Sequence, residues 1–178
     1  DFLREMGREV RAKVLKEARK QLPRAHQGAI VLKGGCSDDF ELYDSDTTHC
    51  EFRQEAFFRY MFPINEPDCY AMLNLQTGQS HLFVQPVTPA MARWNGPQHT
   101  EEWYVNRYGV DGCHSVGQMH EFIKEQGIAD LYVLMGQNTD SGNTVKTTAD
   151  FEGIQSYTVD RKLLYPLLQE CRVVKTPK

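Results

Sequence analysis

The strongest constraint on the fold is one local pattern. Cys69-Tyr70-Ala71-Met72-Leu73-Asn74-Leu75 is an apolar, aromatic-containing run, Gln76-Thr77-Gly78-Gln79 is a polar break, and His81-Leu82-Phe83-Val84 is the return. Two strand-like runs joined by a short polar segment read as a β-hairpin, with Gly78 at the turn position that needs positive φ. His81 is expected on a strand face as an ordinary polar neighbour. A hairpin cannot stand alone in water, so the rest of the chain must supply further strands and a cover.

The flanking segments do so. Ala29-Ile30-Val31-Leu32, closed by Gly34-Gly35, reads as a buried strand and a turn. Asp130 leads into Leu131-Tyr132-Val133-Leu134-Met135-Gly136, a strand covered on both faces. Over residues 2–22, Phe2, Met6, Val10, Val14, Ala18 and Leu22 recur every fourth position, which predicts an amphipathic helix stopped by Pro23. Thr100 caps a short helix over 100–107, and Val116–Gln126 is a further helix ended by Gly127. Residues 160–169 read as a last helix that Pro166 kinks or shortens. Ala56–Phe62 is aromatic-rich and reads as a strand by propensity. The expected class is therefore α/β, a mixed β-sheet flanked by α-helices.

Composition bounds the function. With 178 residues, 40% apolar and 11% aromatic, the chain makes one ordinary folded domain. A net charge of −4 disfavours a nucleic-acid partner, because neutralising phosphates takes a basic surface. No run approaches the roughly 20 apolar residues of a membrane span, and no signal-like apolar region opens the chain, so a soluble protein with no membrane partner is expected. Five cysteines (36, 50, 69, 113 and 171) with no C-x-x-C spacing fit reduced thiols of the cytoplasm rather than a disulfide framework. Residues 36–51 form an acidic loop without the ligand pattern of a calcium site.

Catalytic signatures are missing from the sequence. It has no G-x-S-x-G, no G-x-x-x-x-G-K-[ST], no H-E-x-x-H and no G-x-G-x-x-G. Cys113, His114 and His120 lack the spacing of a metal set, and Asp140-Ser141 sits in a turn beside Gly142 with no histidine placed as a base. The residues expected to be catalytic are none, and the metal ligands none. Trp94 stands out, in the breaker-rich stretch Ala92-Arg93-Trp94-Asn95-Gly96-Pro97 that reads as a loop. It either folds back on the core or forms a flat wall toward a ligand or partner.

Several ordered strings resemble one family. Phe52-Arg53-Gln54-Glu55-Ala56-Phe57-Phe58, Glu66-Pro67-Asp68-Cys69-Tyr70, Thr77-Gly78-Gln79 and Leu82-Phe83-Val84 are similar to the N-terminal domain of prolidase, the Xaa-Pro dipeptidase of the creatinase and aminopeptidase P group. Asn138-Thr139-Asp140-Ser141-Gly142 and Glu170-Cys171-Arg172-Val173-Val174-Lys175-Thr176 follow in the same order. The match runs from about residue 29 onward, and the first helix fits by position.

The resemblance implies that residues 1–178 are a single non-catalytic N-terminal domain. Catalysis would then belong to a separate C-terminal pita-bread metallopeptidase domain, where two divalent metal ions, usually manganese, activate a water that attacks the bond before a C-terminal proline. None of those ligands falls on this chain. It further implies a cytoplasmic homodimer in which this domain covers the partner's active-site mouth, with Trp94 at the position of a substrate-pocket tryptophan and Asn95 where relatives often carry Met. Two alternatives stay open on the same fold: a non-enzymatic protein-binding module, and an aminopeptidase P-like enzyme domain acting on longer peptides.

Overall fold

The computed structural model describes residues 2–37, 52–136, 142, 144 and 148–173. Six strands form one sheet: β1 (Gly28–Lys33), β2 (Tyr70–Asn74), β3 (Ser80–Val84), β4 (Gly112–Ser115), β5 (Asp130–Val133) and β6 (Thr158–Asp160). The spatial order is β4-β3-β2-β1-β5-β6. β1 and β2, and β2 and β3, run antiparallel, whereas β3–β4, β1–β5 and β5–β6 are parallel. The sheet is mixed, as expected. The hairpin turn is built locally: Asn74 Oδ1 accepts from the amides of Gln76 and Thr77 at 2.9 and 3.1 Å, and Gly78 takes φ +83°.

Alternate strand residues enter opposite layers. Ile30, Leu32, Leu73, Leu82 and Tyr132 join Val14, Ala18, Phe58, Met61, Tyr104 and Leu168 in one core. Ala29, Val31, Met72, Phe83, Leu131 and Val133 join Met119 and Ile123 in the other. Both faces are covered, which is why the central strands are apolar throughout. The first core is roofed by helices α1 (Phe2–Gln21), α2 (Ala56–Met61), α4 (Glu101–Tyr108) and α6 (Leu164–Val173), and the second by α5 (Met119–Glu125). A further helix, α3 (Pro89–Asn95), lies between β3 and α4 in the chain.

Two expected elements are shortened, the 116–126 helix opening as a 3-10 turn over Val116–Gln118 before α5 and the 131–136 strand ending at Val133, and three further local expectations are overturned. Residues 56–61 are helical, not extended. Glu55 caps the turn, its Oε2 accepting from the amides of Phe57 and Phe58 at 2.9 and 2.7 Å. Phe57, Phe58 and Met61 are buried while Arg59 is exposed, a helical spacing that tertiary packing imposes over aromatic β-propensity. The stretch around Trp94 is not a loop but the end of α3. Thr88 Oγ1 accepts from the amide of Met91 at 3.3 Å, Pro89 opens the helix, and Gly96 at φ +81° ends it. The last helix starts four residues later than expected, because Asp160 Oδ1 turns the chain by accepting from the amides of Lys162 and Leu163. Pro166 then falls in the first turn, where no helical amide is needed, and kinks nothing.

One buried cation knits the first layer together. Arg11 of α1 is 4% exposed, and its guanidinium donates to the Met61 carbonyl at 3.2 Å and to the Gly109 carbonyl at 2.6 Å. It also lies over the Phe62 ring, 5.2 Å from the centroid. Burial lowers its pKa to about 10 against the opposing field of Asp111, so it stays charged at neutral pH.

Candidate functional site

The groups that carry chemistry are either buried or apart. Cys69, Cys113 and Cys171 are buried, and burial pushes all three thiols above their ordinary pKa, Cys113 to about 12, which disfavours the thiolate form that a nucleophile or metal ligand needs. Cys50, the acidic residues 38–51 and residues 138–141 lie outside the described residues. Cys113 belongs to the first core, whereas its neighbour His114 points to the other face and meets Phe83 and Phe122. His120 is engaged by Tyr157, whose hydroxyl lies 3.1 Å from Nδ1 and donates to the His120 carbonyl at 2.9 Å. The three do not converge. Among the described residues, no group of three or more His, Cys, Asp and Glu side chains could hold a metal ion.

His81 lies on a strand, β3, as expected, but the face that it occupies is covered. It is 8% exposed, packed against Phe122 with ring centroids 4.7 Å apart. Its Nδ1 lies 3.2 Å from Nε2 of His114, while its own Nε2 is buried without a hydrogen-bond partner. Burial, aided by His114, lowers the His81 pKa to about 4, and burial also lowers that of His114. A neutral pair of this kind is a core element. A hollow of about 300 Å³ lies beside Leu22, Pro23 and His26, but its guanidinium, Arg19, is already donating to the carbonyls of Leu75 and Gln76 at 2.7 Å each.

The segment that is built differently is the excursion from Gln85 to Thr100. It leaves the end of β3, forms α3, and returns at the N-cap of α4. None of the described residues 89–93 is buried, and Met91 is 47% exposed. The two legs meet at Gln98. Its Oε1 accepts from the Val87 amide at 3.2 Å, and its Nε2 donates to the Gln85 carbonyl at 3.1 Å. The returning leg is then fixed to the domain. His99 stacks flat on Trp103 at 3.7 Å and 10°, and Trp103 meets buried Tyr104 and Tyr108 edge-on. Thr100 Oγ1 accepts from the Trp103 amide at 3.2 Å, the cap foreseen in the sequence. Trp94 is the sixth residue of α3, and its side chain lies outside the described residues. Sequence reading singled out Trp94 but missed Gln98. A lone exposed glutamine carries no pattern, although Thr88-Pro89 and Gly96 were readable helix limits.

One mixed sheet between two apolar layers, with a short helix α3 whose described residues are not buried, defines an α/β domain. A Bacillus anthracis structure assigned as an aminopeptidase P superposes with a TM-score of 0.66 at 19% identity, covering 94% of this chain and 41% of the other. At that identity the likeness establishes the fold. The family model "Aminopeptidase P, N-terminal domain" matches residues 8–132, and the chain belongs to that family. The match begins inside α1, earlier than the strings in the sequence indicated. Xaa-Pro dipeptidase of Rattus norvegicus is 38% identical over 148 residues, 83% of this chain and 29% of that protein. Xaa-Pro dipeptidase of Homo sapiens is 37% identical over 161 residues, 90% of this chain and 32% of that protein. The resemblance to the N-terminal domain of prolidase therefore holds over most of the chain, which spans about a third of the length of these relatives. No helix among the described residues is long and apolar enough to cross a membrane.

Proposed function

We propose that this domain belongs to a cytoplasmic, homodimeric Xaa-Pro dipeptidase and shapes its substrate pocket and dimer interface. The observation that carries the reading is the 37–38% identity to Xaa-Pro dipeptidases over more than four-fifths of the chain, twice the identity to the aminopeptidase P structure. Four free cysteines among the described residues support a reducing compartment. The substrate is a dipeptide with proline at its C-terminus. The described residues do not fit a metal, so no catalytic step is assigned to them. In the whole protein two divalent ions, manganese by resemblance, would supply an activated water from residues outside this chain. What this chain contributes is shape. A helix that projects beyond its own domain can reach a neighbouring subunit, and Trp94 on it gives a flat wall that excludes water and limits the cleft to a short peptide.

The test is hydrolysis by the full-length protein, with manganese, of Gly-Pro against the longer Gly-Pro-Gly. Turnover of Gly-Pro alone is expected. Turnover of the tripeptide would assign aminopeptidase P chemistry instead, and turnover of neither would point to a binding module. The 178-residue chain by itself is expected to show no turnover above a heat-treated control. Clear activity there would overturn the assignment of catalysis to residues outside it.

A further inference from the structure

We infer that Gln98 is a positioning residue that sets substrate affinity by closing the neck of the arm that carries α3. The inference rests on the pocket role proposed for that arm. α3 has only seven residues, and its described residues 89–93 are not buried, so neither helix propensity nor the packing of those residues fixes its direction. The returning leg is anchored through His99 on Trp103 and the Thr100 cap, whereas the outgoing leg leaves the sheet at Val84 and runs exposed through Gln85 and Pro86. Gln98 joins the two. On the outgoing leg the Gln85 carbonyl and the Val87 amide are one acceptor and one donor, two residues apart. A primary amide offers the complementary donor and acceptor on one planar group, as a neighbouring strand would. Glutamate keeps the acceptor and loses the donor, asparagine is one methylene too short, and alanine loses both bonds. Gln98 is exposed, so its replacement leaves the core intact.

Loosening the neck spreads the arm over more orientations, and apparent affinity falls with the fraction that presents α3 correctly. The experiment uses the full-length protein and four forms: wild type, Gln98→Ala, Trp94→Ala and the double variant. Gln98→Ala is expected to raise KM for Gly-Pro roughly fivefold, the worth of two exposed neutral hydrogen bonds, with kcat within about twofold. Gln98→Glu should fall between the two. In the Trp94→Ala background Gln98→Ala should add nothing, because the residue it positions is gone. Trypsin cleavage after Arg93, read by mass spectrometry, should be faster in Gln98→Ala. If Trp94→Ala raises KM and Gln98→Ala does not, the clasp is wrong and the pocket reading survives. If the Gln98 effect persists undiminished without Trp94, or cleavage after Arg93 is unchanged, Gln98 does not act through this arm. If neither variant alters KM, the pocket reading has itself failed.

Discussion

The surroundings of Arg11 and the arm around Gln98 use similar hydrogen-bonding chemistry to opposite ends. Both side chains donate to main-chain carbonyls across a long loop of sequence, Arg11 to Met61 and Gly109, Gln98 to Gln85. Arg11 does so inside the first core, against the Phe62 ring and beside residues that are fully buried. Gln98 does so at the surface, beneath a helix whose described residues bury nothing. In the interior an unmade bond leaves a carbonyl without water, so the Arg11 contacts weigh on stability. At the surface water replaces most of what is lost, so the Gln98 contacts, worth about 1 kcal/mol together, weigh on the orientation of the arm and not on the core. The contrast separates a sheet and roof that hold the domain together from a helix, α3, none of whose described residues belongs to either core.

The largest effects are expected where burial is deepest. Phe58→Ala empties a fully buried site between α1, α2 and the sheet and should cost about 4 kcal/mol in denaturant unfolding. Arg11→Met keeps much of the stem but strands the Met61 carbonyl and leaves Gly109 only the longer 3.4 Å bond from Arg8 Nε, and should cost about 2 kcal/mol. A loss below about 0.5 kcal/mol would place Arg11 with Gln98 and erase the distinction.

Acid probes the second core in the same way. His81 titrates near 4 in the folded chain, from burial and the neighbouring His114, against about 6.5 when unfolded. Between those values the unfolded chain binds the extra proton. The stability His81 allows is thus complete above about pH 6.5 and is lost as the pH falls toward 4. From pH 7 to 4.5 its share of the loss is about 2 kcal/mol. His81→Leu should flatten the pH dependence by that amount, and an unchanged slope would show that the pair is not buried neutral.

How much of this was legible in the sequence depended on how local the cause was. The hairpin, the Thr100 cap and the end of the helix at Gly127 are written in adjacent residues, and the structure keeps them. The mixed sheet was legible as a class. The placement of β1 between β2 and β5 was not, because strand order is set by contacts distant along the chain. α2 was misread because Phe57, Phe58 and Tyr60 favour strands in isolation, while the Glu55 cap and the packing of Phe58 and Met61 on the core decide otherwise. Burial of His81 was hidden too, since its cover comes from Phe122 on α5. The interest of Trp94 was visible as an aromatic among breakers, and the pocket role proposed for it comes only from the family resemblance. Gln98 depends on the return of the arm and left no trace in the pattern.

The smallest effects on stability are expected on α3, and they decide whether the arm is separate from the scaffold. Met91→Ala should shift the unfolding free energy by less than about 0.5 kcal/mol, since Met91 is exposed and belongs to neither core, and the pocket role proposed for Trp94 predicts the same small shift for Trp94→Ala. In the full-length protein Trp94→Ala should nonetheless raise KM for Gly-Pro while metal content stays unchanged, because the wall is lost and the catalytic residues are elsewhere. A stability loss above 1 kcal/mol, the scale of a buried side chain, would instead mean that Trp94 folds back onto this domain. The stability measurement and the KM measurement then divide the two readings the sequence left open for this residue: a tryptophan serving its own core costs stability first, and one serving a neighbour's pocket costs affinity alone.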